Sequence, residues 1–177
     1  EKIQIATISA KDKELGTIIA QTLDKIGNDG IVTVEESKSY ETIIEHQQGM
    51  QIDAGYASPY FLTDPMTMSS VMENTYVLVT DIPITDFREI MPFLTEFAKS
   101  GRSITVFASD ISDLALGSFI QNKVDGKLMS LCVKSNQFAI VQNGLLSDIA
   151  ILTGATFLSK EAGYQLKNLK KEDLGRA

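Results

Sequence analysis

Cysteine and histidine are almost missing from this chain of 177 residues, each occurring once. With Cys132 alone, no disulfide can form within the chain and no thiolate metal cluster is available. His46 stands in a polar stretch without a motif that supplies a partnered nucleophile, which favours a surface histidine over a general base. A metal site would need carboxylates alone, and no spaced carboxylate motif occurs. We therefore expect no catalytic, metal-binding or cofactor-binding residue here.

Long apolar runs, a signal peptide and concentrated basic charge are also lacking. No apolar stretch approaches the ~18 residues of a membrane-spanning helix. The formal net charge is −7 and Lys and Arg are scattered, whereas phosphate binding needs a concentrated basic patch. The sequence thus argues against nucleic-acid and membrane partners and fits a reducing cytosol. Because the chain begins at Glu1 without a methionine, we expect it to be a piece of a longer protein.

The composition is that of a globular protein, with 44% apolar and 22% charged residues. Apolar residues at helical spacing predict a helix over residues 11–27. Runs of β-branched residues predict strands at 31–34 and 42–46. Residues 49–75 are rich in Gly, Pro, Tyr, Ser and Met, which is typical of extended loops and short strands.

Strands and helices alternate from residue 76 onward. The predicted strands are 76–80, 104–108 and 128–133, and the predicted helices are 86–100, 112–125 and 140–152. Alternation with short connections predicts an α/β arrangement, a layered sheet with flanking helices.

The first two of these helices carry more apolar surface than one contact with a sheet requires. In helix 86–100 the apolar arc spans about 160°, against the usual ~100°. In helix 112–125 two apolar stripes are displaced by roughly 100°, namely Leu116, Ile120 and Val124, and Ala115 and Phe119. The second stripe is either buried in the same domain or borders an exposed groove that binds a peptide. Periodicity leaves both readings open.

Several segments, in order, resemble the group I (60 kDa) chaperonins. The clearest is residues 49–61, Gly-Met-Gln-Ile-Asp-Ala-Gly-Tyr-Ala-Ser-Pro-Tyr-Phe, which is similar to the start of their apical domain. Shorter matches are Thr-Ile-Ser-Ala at 7–10, Asp-Lys-Ile-Gly at 24–27, Gly-Ile-Val-Thr-Val-Glu at 30–35, Asp-Ile-Ala at 148–150, Leu-Thr-Gly at 152–154 and Glu-Asp-Leu-Gly at 172–175. The resemblance covers essentially the whole chain.

The resemblance implies a chaperonin apical-domain-like α/β fold preceded by a small α+β segment of the intermediate domain. Residues 1–48 would form that segment, and residues 49–177 a C-terminally incomplete apical domain. In the family, this domain binds non-native polypeptides and the mobile loop of a co-chaperonin. The implied parent is a heptameric double ring in a bacterial cytoplasm or an organellar matrix. It would use ATP and Mg²⁺ in an equatorial domain that lies outside this chain.

The family's binding residues lie on one extended segment and two neighbouring helices. Carried over position by position, the resemblance assigns polypeptide binding to Tyr56, Tyr60, Phe61, Met91, Leu94, Leu116, Ile120 and Gln121. It also implies that the core side chains of the two helices are Phe93, Phe97, Ala115 and Phe119. The binding side chains of both helices would then face outward.

The chain departs from the family pattern at several positions. Gln121 replaces an aliphatic residue, Ala54 an arginine and Thr95 an acidic residue. Where the family typically carries a Pro-Gly-Phe-Gly-Asp stretch, residues 135–143 of this chain keep only its phenylalanine, as Phe138. These departures predict a divergent member, and leave open a paralogue that binds one specific partner.

An alternative from another class is a small α/β enzyme. Asp110 follows the predicted strand 104–108, and ligands of open α/β sheets bind beyond the carboxyl ends of strands. A helix N-cap formed by Ser109, Asp110 or Ser112 is favoured over a catalytic carboxylate.

Overall fold

The computed structural model describes residues 2–27, 42–44, 49–52, 54–134 and 139–177, with the side chains of residues 139 and 140 outside that description. The chain divides into two compact units, Glu1–Gln47 and Gln48–Ala177. The predicted strand 31–34 lies outside the described residues. Residues 42–44 form no strand, and the rest of that candidate also lies outside.

Two helices make up the described part of the first unit, α1 (Lys2–Ala10) and α2 (Lys13–Ile26). Asp12 begins α2 by accepting hydrogen bonds from the next turn's amides, and Gly27 ends it at φ 87°. The helices approach closely at Gly16, where an added Cβ would lie 2.6 Å from the Thr7 backbone. The helix predicted over residues 11–27 is confirmed, whereas α1 was not predicted.

A mixed sheet forms the centre of the second unit. Its strands are β1 (Gly55–Tyr56), β2 (Tyr76–Thr80), β3 (Ile104–Ala108), β4 (Ser130–Lys134), β5 (Phe157–Leu158) and β6 (Gly175–Arg176). The order is β1-β4-β3-β2-β5, with β6 paired to β2. Strands β2, β3, β4 and β5 pair in parallel, while β1 and β6 are antiparallel to their neighbours.

Helices α3 (Phe87–Ala98), α4 (Asp113–Val124) and α5 (Ala139–Thr153) cover the sheet. Successive residues of a strand point to opposite faces, so β2 separates two apolar clusters. Tyr76 and Leu78 belong to the cluster that holds the core residues of α3 and α4. Val77 and Val79 belong to the other, with Leu146 and Ile149 of α5. The prediction of an α/β fold, a sheet flanked by helices, is confirmed.

The helix boundaries follow from the capping residues. The carboxylate of Asp86 accepts a hydrogen bond from the Arg88 amide at 2.9 Å, and the Ser112 hydroxyl accepts one from the Ala115 amide at 3.2 Å. The predicted strands 76–80 and 104–108 are confirmed, and β4 begins two residues later than predicted.

Candidate functional site

Helix α3 buries one stripe and leaves Met91 at its edge. The buried side chains are Ile90, Leu94 and Phe97. At about 100° per residue these three fall within an arc of roughly 60°, which faces the sheet. Leu94 is 3% exposed, so the prediction that it faces outward is wrong, whereas Met91 is 47% exposed. Phe93, predicted as core, is half-buried on the other edge of the stripe.

Helix α4 distributes its two stripes as the resemblance implies. Ala115 and Phe119 are fully buried. Leu116 and Ile120 are only partly buried, and they pack against the same core. Gln121 is exposed, and its side-chain amide donates to the Asp125 carboxylate at 2.7 Å.

Helices α3 and α4 meet through two aromatic rings. Phe87 and Phe119 are in edge-to-face contact with centroids 5.0 Å apart. Such a contact stabilises the helix pair beyond the area that it buries.

The extended segment places its two neighbouring aromatic residues in opposite environments. A 3₁₀ turn spans Pro59–Phe61, and the Ser58 hydroxyl accepts the Tyr60 amide at 3.4 Å. Tyr60 is 70% exposed, whereas Phe61 is fully buried. Phe61 therefore cannot be a surface contact as predicted, because the turn directs its ring into the core beside α4. Tyr56, in β1, is half-buried against that core.

The carbonyl oxygen of Phe61 joins the extended segment to α4. It accepts a hydrogen bond from the Lys123 ammonium at 2.6 Å and another from the Ser70 hydroxyl at 2.8 Å. The same ammonium lies 5.4 Å from the centroid of the Phe61 ring. Burial lowers the pKa of Lys123. Lys123 was not predicted from the sequence, because no local pattern links residues 61 and 123.

Asp110 does not cap α4, since Ser112 has that role. Its carboxylate forms an ion pair with Lys134, and this hydrogen bond lowers the pKa of Asp110. The side chain is 54% exposed. A solvated carboxylate with a lowered pKa is a weak proton acceptor near neutral pH. This geometry does not favour Asp110 as a general base.

Metal-binding side chains are sparse in the part of the chain that the structure describes. Within the described ranges, no three His, Cys, Asp or Glu side chains are grouped so that they could hold a metal ion. Cys132 is buried, and burial raises the pKa of its thiol. Of the helices that the structure describes, none is both long and apolar enough to cross a bilayer. His46 and residues 135–138 lie outside the described residues.

Comparison with known proteins bears on the fold. No family model matches the sequence. Among solved structures, the chaperonin gp146 from the bacteriophage EL 2 (Pseudomonas aeruginosa), crystallised in the presence of ATP-BeFx, superposes with a TM-score of 0.67 at 19% identity. The match covers 99% of this chain and 34% of that one. The chain has a chaperonin fold. It spans about a third of the length of the chaperonin that it matches.

Proposed function

We propose that this chain is the client-holding part of a group I chaperonin subunit, which binds non-native polypeptides and the co-chaperonin mobile loop. Residues 49–177 serve as the apical domain and residues 1–48 as part of the intermediate domain. The parent ring is heptameric and double, acts in a bacterial cytoplasm or an organellar matrix, and uses ATP and Mg²⁺ outside this chain. The chaperonin fold and the ordered resemblance from residue 7 to residue 175 support this proposal.

The observation that carries the proposal is the exposure of Tyr60 and Met91 on a well-packed α/β unit. Together with the partly exposed Leu116 and Ile120 they form the client surface, and Gln121 gives it a polar margin. Phe61 and Leu94 support this surface from the core. Complete burial of one large apolar side chain yields about 1.5–3 kcal/mol, so a few partial contacts give weak and adaptable binding. The unbranched Met91 side chain can repack against different clients.

The test is capture of a permanently unfolded, reduced and alkylated client, measured by fluorescence anisotropy. We expect Met91→Glu, alone and combined with Ile120→Glu, to weaken binding at least about tenfold, since a charge would have to be desolvated. Met91 is exposed, so the single variant should keep the wild-type circular dichroism spectrum. Ile151→Glu on α5, where Ile151 is 78% exposed, is the matched control and should bind normally. Unchanged capture by both the Met91→Glu variant and the double variant would refute the proposal.

One observation favours binding of a single specific partner. The polar Gln121, at the edge of the proposed client surface, donates a hydrogen bond to Asp125. Affinities for several unrelated unfolded clients distinguish the two functions. Similar affinities support general holding, and a preference of about a hundredfold for one client supports the specific partner. Asp110→Asn should leave every affinity unchanged.

A further inference from the structure

The segment that carries Tyr60 is fastened to the sheet where it begins. Strand β1 pairs with β4, and the Ala57 amide donates to the Cys132 carbonyl at 2.7 Å. Within the described residues, no further backbone hydrogen bond joins residues 58–71 to a strand. Tyr60 therefore lies beyond the support of the sheet, and its ring keeps a fixed position only if another element holds its turn.

The backbone hydrogen bonds of the Tyr60 turn are local. The Phe61 amide donates to the Ser58 carbonyl at 3.0 Å. The Leu62 amide donates to the Pro59 carbonyl at 3.1 Å. Both bonds close the 3₁₀ turn, but donor and acceptor move together with it. They do not fix the turn relative to α4.

The Phe61 carbonyl supplies the connection to α4. Its hydrogen bond from the Lys123 ammonium, at 2.6 Å, is the one that joins residues 58–71 to another element in the described part of the chain. The ammonium also lies 5.4 Å from the centroid of the Phe61 ring, which is fully buried. A charged donor forms a stronger hydrogen bond than a neutral one. The residue directly after Tyr60 is thereby fixed to α4.

Lys123 lies on the helix that carries other members of the proposed client surface. Ile120 precedes it by three residues, and residues at this spacing are neighbours on the surface of a helix. Ile120 packs, partly buried, against the cluster that contains Phe61. One side chain thus links the turn of Tyr60 to the part of α4 that presents Ile120.

We propose that Lys123 is a positioning residue for client binding, which fixes Tyr60 relative to Ile120 so that one segment of an unfolded client contacts both at once. This inference rests on the proposed chaperone function and adds a residue that does not itself touch the client. A turn that is already fixed loses less conformational freedom on binding. Loss of the Lys123 ammonium therefore weakens the contact at Tyr60 and leaves the contact at Met91 intact.

The experiment is a double-mutant cycle on capture of the reduced and alkylated client, measured by fluorescence anisotropy. Lys123→Met keeps the apolar stem and should weaken binding about fivefold. Tyr60→Ala should weaken binding about fivefold in the wild type but less than about twofold in the Lys123→Met background, because an unfixed Tyr60 contributes little. Met91→Glu should have the same effect in both backgrounds. Lys127→Met, which removes an exposed ammonium paired with Asp125, is the matched control and should bind normally.

A second measurement does not depend on the client. In Lys123→Met the amides of Phe61 and Leu62 should exchange faster than in the wild type, relative to the amides of β2. Ser70→Ala removes the neutral donor to the same carbonyl and should accelerate this exchange less, because the ammonium remains. Unchanged exchange in Lys123→Met overturns the inference whether or not a client binds.

The binding outcomes separate this inference from the proposed function. If Tyr60→Ala has the same effect in both backgrounds, Lys123 does not position Tyr60, and the inference fails while the loss in Met91→Glu still supports the function. An equal loss of affinity in Lys127→Met would assign the effect to charge and also overturns the inference. Binding that is insensitive to Met91→Glu, alone and combined with Ile120→Glu, refutes the function itself.

Discussion

At the scale of single residues, Lys123 helps to fix the position of the proposed client surface without being part of it. Its ammonium donates to the Phe61 carbonyl, which also holds Ser70. Hydrogen bonds to charged groups contribute about 1.5–3 kcal/mol. Burial lowers the pKa of Lys123, which means that desolvation of the ammonium offsets part of that gain.

We expect Lys123→Met to lower the free energy of unfolding by about 1 kcal/mol, because the apolar stem is kept and the donor is lost. Urea unfolding followed by circular dichroism measures the change. Lys127→Met is the matched control, since the Lys127 ammonium pairs with Asp125 at the surface and such pairs contribute little. Equal effects of the two substitutions would mean that the Phe61 carbonyl does not depend on Lys123.

The pH dependence of the loop at residues 64–69 follows from Asp64. The Thr67 hydroxyl and the Met66 amide hold the pKa of Asp64 below its ordinary value. A carboxyl whose folded pKa is lowered stabilises the folded loop above its unfolded pKa, and that contribution is lost as the pH falls through the folded pKa. Amide exchange at Met66, relative to the sheet amides, should therefore accelerate only below the ordinary carboxyl range. Asp64→Asn should abolish this acid-induced increase, and a wild-type loop that stays equally protected at acid pH would contradict the assignment.

At the scale of helices and strands, the sequence predicted what periodicity and caps specify. Strands β2 and β3, and helices α3 and α4, carry long apolar patterns with Asp86 and Ser112 at the helix starts. Strands β5 and β6 have two residues each, which is too short for any period to emerge.

For the candidate site, the sequence could suggest which residues belong to it but not which of them are buried. The resemblance to chaperonins supplied the candidate positions, but which of them are exposed depends on how each helix is rotated on the sheet. In α3 the buried stripe runs through Ile90, Leu94 and Phe97, which leaves Met91 exposed and Leu94 in the core.

Helix α3 also contains Pro92 in its interior. Proline has no amide hydrogen to donate to the Arg88 carbonyl, and in a helix interior it is about 3 kcal/mol less favourable than alanine. Pro92→Ala should therefore raise the free energy of unfolding, by up to about 3 kcal/mol. Differential scanning calorimetry gives the change in Tm. Pro92→Gly should raise it less, and a lower Tm for the alanine variant would show that the chain packs around the ring.

At the scale of the whole molecule, the two units differ in the core that each possesses. The second unit holds both apolar clusters, with fully buried Leu78, Ile90 and Phe119 in one of them. In the described part of the first unit the buried residues are small, namely Ala6, Gly16 and Ala20. Helices of 9 and 14 residues are marginal without tertiary packing.

We expect amide exchange in residues 2–27 to be much faster than in β2 and β3, as measured by mass spectrometry. Gly16→Ala should accelerate it further, since the new Cβ would lie 2.6 Å from the Thr7 backbone and force α1 away from α2. Client affinity should not change in that variant, because the proposed surface lies in the second unit. Exchange in α1 and α2 as slow as in the central strands would contradict this prediction.

The two hydrogen bonds at the Phe61 carbonyl have a mechanical consequence. If a client binds Tyr60 as proposed, its pull reaches the next peptide group, whose carbonyl is held by the Lys123 ammonium on α4 and by the Ser70 hydroxyl beside the 64–69 loop. The Phe61 peptide group can therefore be pulled away only if both its hydrogen bond to α4 and its hydrogen bond to Ser70 break. Because the two donors belong to different elements, this attachment resists force applied to Tyr60 from more than one direction.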